Sequence, residues 1–89
     1  MQTLKIEKHS SHGKTTIRLI GRFQWEHVDE LKKQIQSNGK QLALDLQEVT
    51  LVDLGVVQFL ALREAEGIDL LHCSPYIREW IRRERQAGG

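Results

Sequence analysis

The period of the apolar residues changes repeatedly along this chain, and that change limits its fold more than any other feature. Apolar and polar residues alternate over residues 3–7, 15–20 and 42–46, a pattern typical of half-buried strands. Residues 68–71 form a further short apolar stretch. The sequence therefore predicts four strands.

Between these strands the period lengthens to three or four residues, which predicts helices. The first apolar stripe belongs to a helix that begins near Trp25. The second helix, which begins near Asp53, is apolar almost all round over residues 56–65, so we expect it to be largely buried or to offer one face to a partner. The stripes of the first and last helices are Trp25, Val28, Leu31 and Ile35, and Ile77, Trp80 and Ile81.

Short signals mark the ends of these elements. The polar residues 9–14 include a glycine and predict a hairpin loop, and Gly21 is expected to end the second strand. Helix starts are indicated at Asp53 and Ser74-Pro75, and helix stops at Asn38-Gly39 and Glu66-Gly67.

The order β-β-α-β-α-β-α predicts an α/β fold with a four-stranded mixed sheet. The first two strands should pair antiparallel, and strands joined through helices should run parallel. Polar residues such as Lys5, Gln41 and Asp45 alternate with the apolar ones, so we expect helices mainly on one face and water on part of the other. A single domain should span residues 1–86, with residues 87–89 a frayed tail.

Composition narrows the classes of partner. The 13 Lys and Arg against 12 Asp and Glu leave a net charge of +1, which predicts no general affinity for nucleic acid. Cys73 is the single cysteine, so no internal disulfide can form. No segment resembles a signal peptide or a membrane-spanning helix, and we expect a cytoplasmic protein without direct membrane insertion.

Residues that could perform catalysis occur without the spacing that catalysis needs. His72 and Cys73 are adjacent at a strand end, where neighbouring side chains point in opposite directions. His9 and His12 lie in the expected loop without a metal-ligand spacing. We therefore expect no enzymatic activity, no cofactor and no metal site. Trp25 and Trp80 should pack in the core, and the arginines of the last helix should lie on a solvated face.

Residues 42–53, LALDLQEVTLVD, resemble the centre of a STAS domain. That family has a hydrophobic-Asp-hydrophobic strand, then Val-Thr, then hydrophobic-Asp-Ser-Ser-Gly at the start of a helix. Gly67 before the fourth strand and Ser74-Pro75 at the last helix are also similar to the family pattern. STAS domains include bacterial anti-sigma factor antagonists and the cytoplasmic tails of sulphate transporters. The resemblance implies a STAS-like fold and a regulatory, protein-binding role in signal transduction.

The chain departs from the STAS pattern at two places. In members controlled by phosphorylation, the second Ser or Thr of Asp-Ser-Ser-Gly accepts the phosphate, whereas here the sequence is Asp53-Leu54-Gly55-Val56. Gly55 has no hydroxyl and cannot accept a phosphate. After the second strand the family often has Gly-Glu-Leu-Asp, whereas here Gln24 replaces the last acidic residue of that motif.

The resemblance implies a partner-binding surface at the start of the second helix and in the loop after the second strand. Both segments follow the carboxyl ends of strands, where sheets of this kind usually carry their sites. Leu54 and Val56 either form a constitutive apolar contact or fill the core, and the sequence leaves both open. The surface comprises Asp53, Leu54, Gly55, Val56, Gln58, Arg22, Phe23 and Gln24.

Three roles follow from the resemblance. The leading hypothesis is a non-catalytic anti-sigma factor antagonist-like protein whose partner is a kinase-like anti-sigma factor or another signalling component. The second is an accessory subunit of a membrane transporter ATPase, and the third is a sensor of a nucleotide or lipid. Co-purification with a transporter subunit would favour the second, and a co-purifying ligand would favour the third.

Overall fold

A computed structural model of the protein describes residues 4–38 and 41–88. Within these residues the chain folds as an α/β protein whose mixed sheet has four strands in the order β1-β2-β3-β4, and the predicted order of elements is confirmed. The elements are β1 (Leu4–Ser11), β2 (Lys14–Phe23), a 3₁₀ turn (Trp25–His27), α1 (Val28–Asn38), β3 (Leu42–Val52), α2 (Leu54–Ala65), β4 (Asp69–Leu71) and α3 (Pro75–Gly88).

Strand directions follow the connections between the strands. The hairpin joins β1 and β2 antiparallel, whereas β2–β3 and β3–β4 are parallel because a helix links the members of each pair. The β4 ladder is short and pairs Asp69–Leu71 with residues 43–45. Among the described residues, β1 therefore forms the long edge of the sheet.

The first hairpin is tighter than the sequence predicts. Ser11 pairs with Lys14, and only His12 and Gly13 lie between the strands. Both turn residues have positive φ, 53° and 78°, as two-residue hairpin turns matched to strand twist require. The predicted loop over residues 9–14 is therefore wrong outside its centre, because polar residues there continue the ladder at a solvent-exposed edge.

Gly21 does not end β2, contrary to the prediction. The strand continues to Phe23, and the register with β3 shifts between Arg18 and Ile20 and again between Gly21 and Arg22. Gly21 has a φ of 107°, a conformation that favours glycine at a β-bulge. The irregularity lets β2 carry Phe23 into the core, where it is 0% exposed.

The core lies on one face of the sheet. Alternate residues of β2 and β3 contribute to a single apolar cluster with residues of all three described α-helices. On the other face Arg18 pairs with Glu48, and Lys5 lies 3.3 Å from Glu7. Helices therefore cover one face, as the polar alternation predicts. The cluster includes Ile17, Leu19, Val28, Leu31, Leu44, Leu46, Val56, Leu60, Ile77 and Ile81.

The ends of α2 and α3 form at the predicted signals. Gly67, with φ 103°, donates its N–H to the carbonyl of Glu64 at 3.0 Å, and Ile68 donates to Arg63 at 3.1 Å, the two bonds of a Schellman motif. Ser74 Oγ accepts from the N–H of Ile77 at 3.3 Å at the start of α3. That helix includes residues 87 and 88, whereas Gly89 and the Gly39 stop signal lie outside the described residues.

In the part of the chain described here, no helix combines the length and the apolar character needed to cross a membrane.

Candidate functional site

The carboxyl ends of β2 and β3 lie side by side, because Phe23 and Val52 are register partners at the last positions of these parallel strands. The chain turns directly into the 3₁₀ turn after β2 and into α2 after β3. Two helix starts are thus brought together at one edge of the sheet, where Trp25 and Asp53, 28 residues apart in sequence, are hydrogen-bonded.

Asp53 links these two helix starts through its carboxylate. Its Oδ1 accepts the N–H of Val56 at 3.0 Å, which confirms the predicted N-cap of α2. Its Oδ2 accepts the backbone N–H of Trp25 at 2.9 Å. One carboxylate therefore holds both segments, since hydrogen bonds to a charged acceptor are stronger than those to a neutral one.

Trp25 is not a core residue, and the expectation that it packs inside is wrong. It is 57% exposed, because it lies in the 3₁₀ turn, three residues before Val28, the first buried member of the apolar stripe. The indole ring instead covers Gly55. A Cβ built on Gly55 would lie 2.8 Å from Cε3 and 3.1 Å from Cδ2 of that ring. Trp80, by contrast, is partly buried against the core.

Gly55 therefore occurs in α2 for reasons of space. Its φ is not in the left-handed range, and the atoms that a Cβ at this position would meet belong to Trp25. A glycine two residues after a helix cap was the sequence signal of this close approach, because such a position otherwise favours a residue with better helix propensity. The absence of a side chain at Gly55 and the position of the Trp25 indole thus belong to the same contact.

The α2-start surface, as we name it, consists of Trp25, Asp53, Leu54, Gly55 and Gln58. These residues line an open depression of about 370 Å³. Leu54 is 48% exposed and therefore does not fill the core, one of the two roles that the sequence left open for it. Gln58 Nε2 donates to Glu84 Oε1 at 3.3 Å and so ties the surface to α3. The surface thus combines a hydrogen-bonded backbone with two large exposed apolar side chains.

Of the other residues assigned to the site, Phe23 and Val56 do not reach the surface. Both are 0% exposed, and Phe23 packs edge-on against Phe59 with ring centroids 6.2 Å apart. Their assignment to a contact surface is corrected, because the alternation of β2 and the inner face of α2 direct them into the core. They support the α2-start surface from beneath.

Arg22 and Gln24 lie beside the α2-start surface and not on it. Arg22 is exposed and is paired with Leu51 on β3, which is 43% exposed. Both alternate with core residues, so they lie on the sheet face away from the helices. Gln24 is half-buried, and its backbone N–H donates to Nδ1 of His27 at 3.1 Å. This bond stabilises the 3₁₀ turn that carries Trp25.

The arginines of α3 lie on the outer side of the helix, as expected, and they form ion pairs with carboxylates. Glu64 on α2 accepts both contacts from Nη1 of Arg78, at 2.8 and 2.9 Å, and a longer one from Arg85 at 3.4 Å. The hydrogen bond to Glu64 raises the pKa of Arg78. Arg82 and Arg83 pair with Glu79. Arg78 and Arg85 therefore link α3 to α2, whereas Arg82 and Arg83 form ion pairs within α3.

Cys73 is half-buried just before α3. Burial raises the pKa of its thiol, and this effect outweighs the lowering by Arg78, while Glu64 adds a smaller raising effect. The thiol is therefore a poor nucleophile near neutral pH.

Chemically, the α2-start surface offers one carboxylate, one amide and two large apolar side chains. The carboxylate already accepts two backbone N–H groups. Within residues 4–38 and 41–88, no group of three or more His, Cys, Asp or Glu side chains is placed to share a metal ion. The arrangement is suited to contact with another apolar surface.

The chain matches no protein-family model and no curated protein.

Proposed function

We propose that this protein is a non-catalytic regulatory module that binds another protein through the α2-start surface. The observation that carries the proposal is the exposure of Trp25 and Leu54, 57% and 48%, on either side of a depression whose backbone is held by Asp53. Tryptophan is among the residues that most often dominate binding energy in protein interfaces.

The hydrogen bonds that hold the backbone of this surface also support the proposal. A surface that is already ordered loses less conformational entropy on binding, so more of the contact energy appears as affinity. The Asp53 carboxylate accepts the backbone N–H groups of Trp25 and Val56, and so holds the two chain segments that carry Trp25 and Leu54.

The open shape of the depression favours a protein over a small ligand. Small-molecule sites bury most of the surface of their ligand, whereas this depression of about 370 Å³ lies between side chains that are themselves about half exposed. A nucleotide or lipid sensor is therefore the weaker candidate for this surface.

The STAS resemblance of residues 42–53 suggests the kind of partner. By that resemblance the partner is a kinase-like anti-sigma factor or another component of a bacterial signalling assembly, and the protein acts in the cytoplasm. Gly55 at the acceptor position, covered by Trp25, implies that binding is not released by phosphorylation at that position. The module would then be a constitutive binder.

The test is affinity purification of the tagged protein from its native cells, compared with the variants Leu54→Asp and Leu62→Asp. Leu62 lies on the same helix and is 60% exposed, so Leu62→Asp introduces the same charge at a matched position outside the α2-start surface. We expect one protein to be recovered by the wild type and by Leu62→Asp but not by Leu54→Asp.

The identity of the recovered protein separates the roles. Recovery of a kinase-like protein would support the role of an anti-sigma factor antagonist. Recovery of a transporter ATPase would instead support the role of an accessory subunit. Equal recovery by Leu54→Asp and wild type would reject the α2-start surface as the binding site. Circular dichroism of each variant verifies that loss of binding is not loss of folding.

A further inference from the structure

The exposed edge of β1 carries a self-complementary pattern. We propose that two copies of this protein dimerise by antiparallel pairing of their β1 strands about a two-fold axis at Ile6, so that the two sheets become continuous. This inference concerns the opposite edge of the sheet from β4 and does not depend on the proposed function.

The hairpin fixes which backbone groups of β1 point outward. Ser11 and Lys14 flank a two-residue turn and therefore form a hydrogen-bonded pair, so the next pair, Ser10 and Thr15, is not bonded. In agreement, the N–H of Thr15 bonds to the carbonyl of Gln41 on the β3 side, at 2.9 Å. Continuing the alternation, the N–H and C=O groups of Ile6, Lys8 and Ser10 point away from β2.

This edge is regular, and edges of that kind template pairing with another strand. All eight residues of β1 pair with β2 without a register shift, and among the described residues no strand pairs on the outer side. The contrast with β4, which has three residues, identifies β1 as the edge able to form a long ladder.

Among the two-fold axes that pass through residues 5–8 of β1, charge then favours one register. In a dimer, the outward N–H and C=O groups of one β1 strand must lie opposite the outward groups of the other. These groups belong to alternate residues, so the two-fold axis has to pass through a residue that faces its own copy, and not between two residues. An axis at Lys5, Glu7 or Lys8 places like charges directly opposite each other, which destabilises a strand pair. An axis at Ile6 instead places Lys5 opposite Glu7 of the second copy, twice in each dimer.

The side chains nearest the axis fit on both faces of the joined sheet. Lys5 and Glu7 lie on the open face, with exposed side-chain fractions of 66% and 43%, and at present contact each other at 3.3 Å. Ile6 lies on the helix face and is only half-buried against the core, so its facing copy would cover it. Lysines on an edge discourage foreign strands, which do not supply the matching carboxylate.

The experiment is sedimentation equilibrium of the wild type, Lys5→Glu, Glu7→Lys and the double variant Lys5→Glu/Glu7→Lys. We expect the wild type to reach twice the 10.3 kDa mass of one chain at high concentration. Each single variant puts like charges opposite each other in both pairs, and its dimer should be weaker by about tenfold or more. The double variant should restore the wild-type affinity.

Lys33→Glu is the matched control, since Lys33 is exposed on α1 and the variant changes the net charge as Lys5→Glu does. It should leave dimerisation unchanged. A wild type that stays monomeric up to millimolar concentration would overturn the inference. Single variants that dimerise as well as the wild type, or a double variant that does not recover, would also overturn it.

Discussion

At the scale of single residues, Trp25 and Gly55 form a matched pair. The ring lies where a side chain at position 55 would have to be, with 2.8 Å between Cε3 and a built Cβ. Real Cβ atoms do not approach other atoms so closely, so any larger residue at position 55 must displace the indole.

This contact predicts strong coupling between the two positions. In the Trp25→Ala background, Gly55→Ala should stabilise the protein by about 0.5–1 kcal/mol, because alanine has the better helix propensity. In the wild-type background the gain should be cancelled or reversed by the clash. Urea unfolding of both single variants and the double variant measures the coupling energy, for which we expect about 1 kcal/mol or more. Additive effects would contradict the contact.

Asp53 is the second residue on which the site depends. Replacing it with alanine removes the cap of α2 and leaves the N–H of Trp25 without its carboxylate partner. We expect Asp53→Ala to lower the free energy of unfolding by about 1–3 kcal/mol. Asp69→Ala is the control, because among the described residues the carboxylate of Asp69 makes an exposed ion pair with Lys14, at 3.5 Å, and no helix cap. Equal effects of the two substitutions in urea unfolding would argue against the bridging role.

At the scale of elements, the sequence predicts the types and order of the strands and helices well because their apolar periods are strong. The caps at Asp53 and Ser74 and the stop at Gly67 could also be predicted, since each acts through its own local backbone. The extents of β1 and β2 could not be predicted in the same way. Gly21 has the signature of a strand end, yet the pairing of β2 with β3 carries the strand past it through a bulge.

The candidate site was only partly predictable for the same reason. Its location follows from strand ends, and Asp53 and Leu54 follow from the position of the cap. Which neighbours are exposed depends on tertiary packing: the register of β2 buries Phe23, and the 3₁₀ turn holds Trp25 outside the stripe of α1. The sequence pattern is compatible with one continuous α-helix from Trp25 onward. On that assumption the indole falls on the apolar stripe and is wrongly assigned to the core.

The partial burial of Cys73, beside the Arg78–Glu64 ion pair between α2 and α3, predicts slow reaction of its thiol. Burial raises the pKa of this thiol, so at pH 8 we expect alkylation by iodoacetamide to be several-fold slower than for a cysteine in an unfolded chain. Because the folded pKa exceeds the unfolded one, the stability from the neutral thiol is complete below the unfolded pKa. It is lost as the pH rises through the folded value. The same measurement in urea is the control, and equal rates in the two conditions would contradict the prediction.

At the scale of the whole molecule, the two faces of the sheet and the ends of its central strands differ in chemical character. One face carries the helices, the other carries ion pairs such as Arg18–Glu48, and the carboxyl ends of β2 and β3 carry the α2-start surface. The β1 strand forms an edge suited to a second copy. A dimer built on β1 would display two copies of the α2-start surface, and bivalent display raises apparent affinity for a partner that itself has two sites.

The central claim is that a protein partner binds at Trp25 and Leu54, and its most direct test is a binding titration of the purified partner against wild type, Leu54→Asp and Leu62→Asp. We expect Leu54→Asp to weaken binding by about 30-fold or more, the effect of losing an interface hot spot. Leu62→Asp should bind as the wild type does. If Leu54→Asp binds with wild-type affinity while Leu62→Asp does not, the partner occupies a different surface and the account is contradicted.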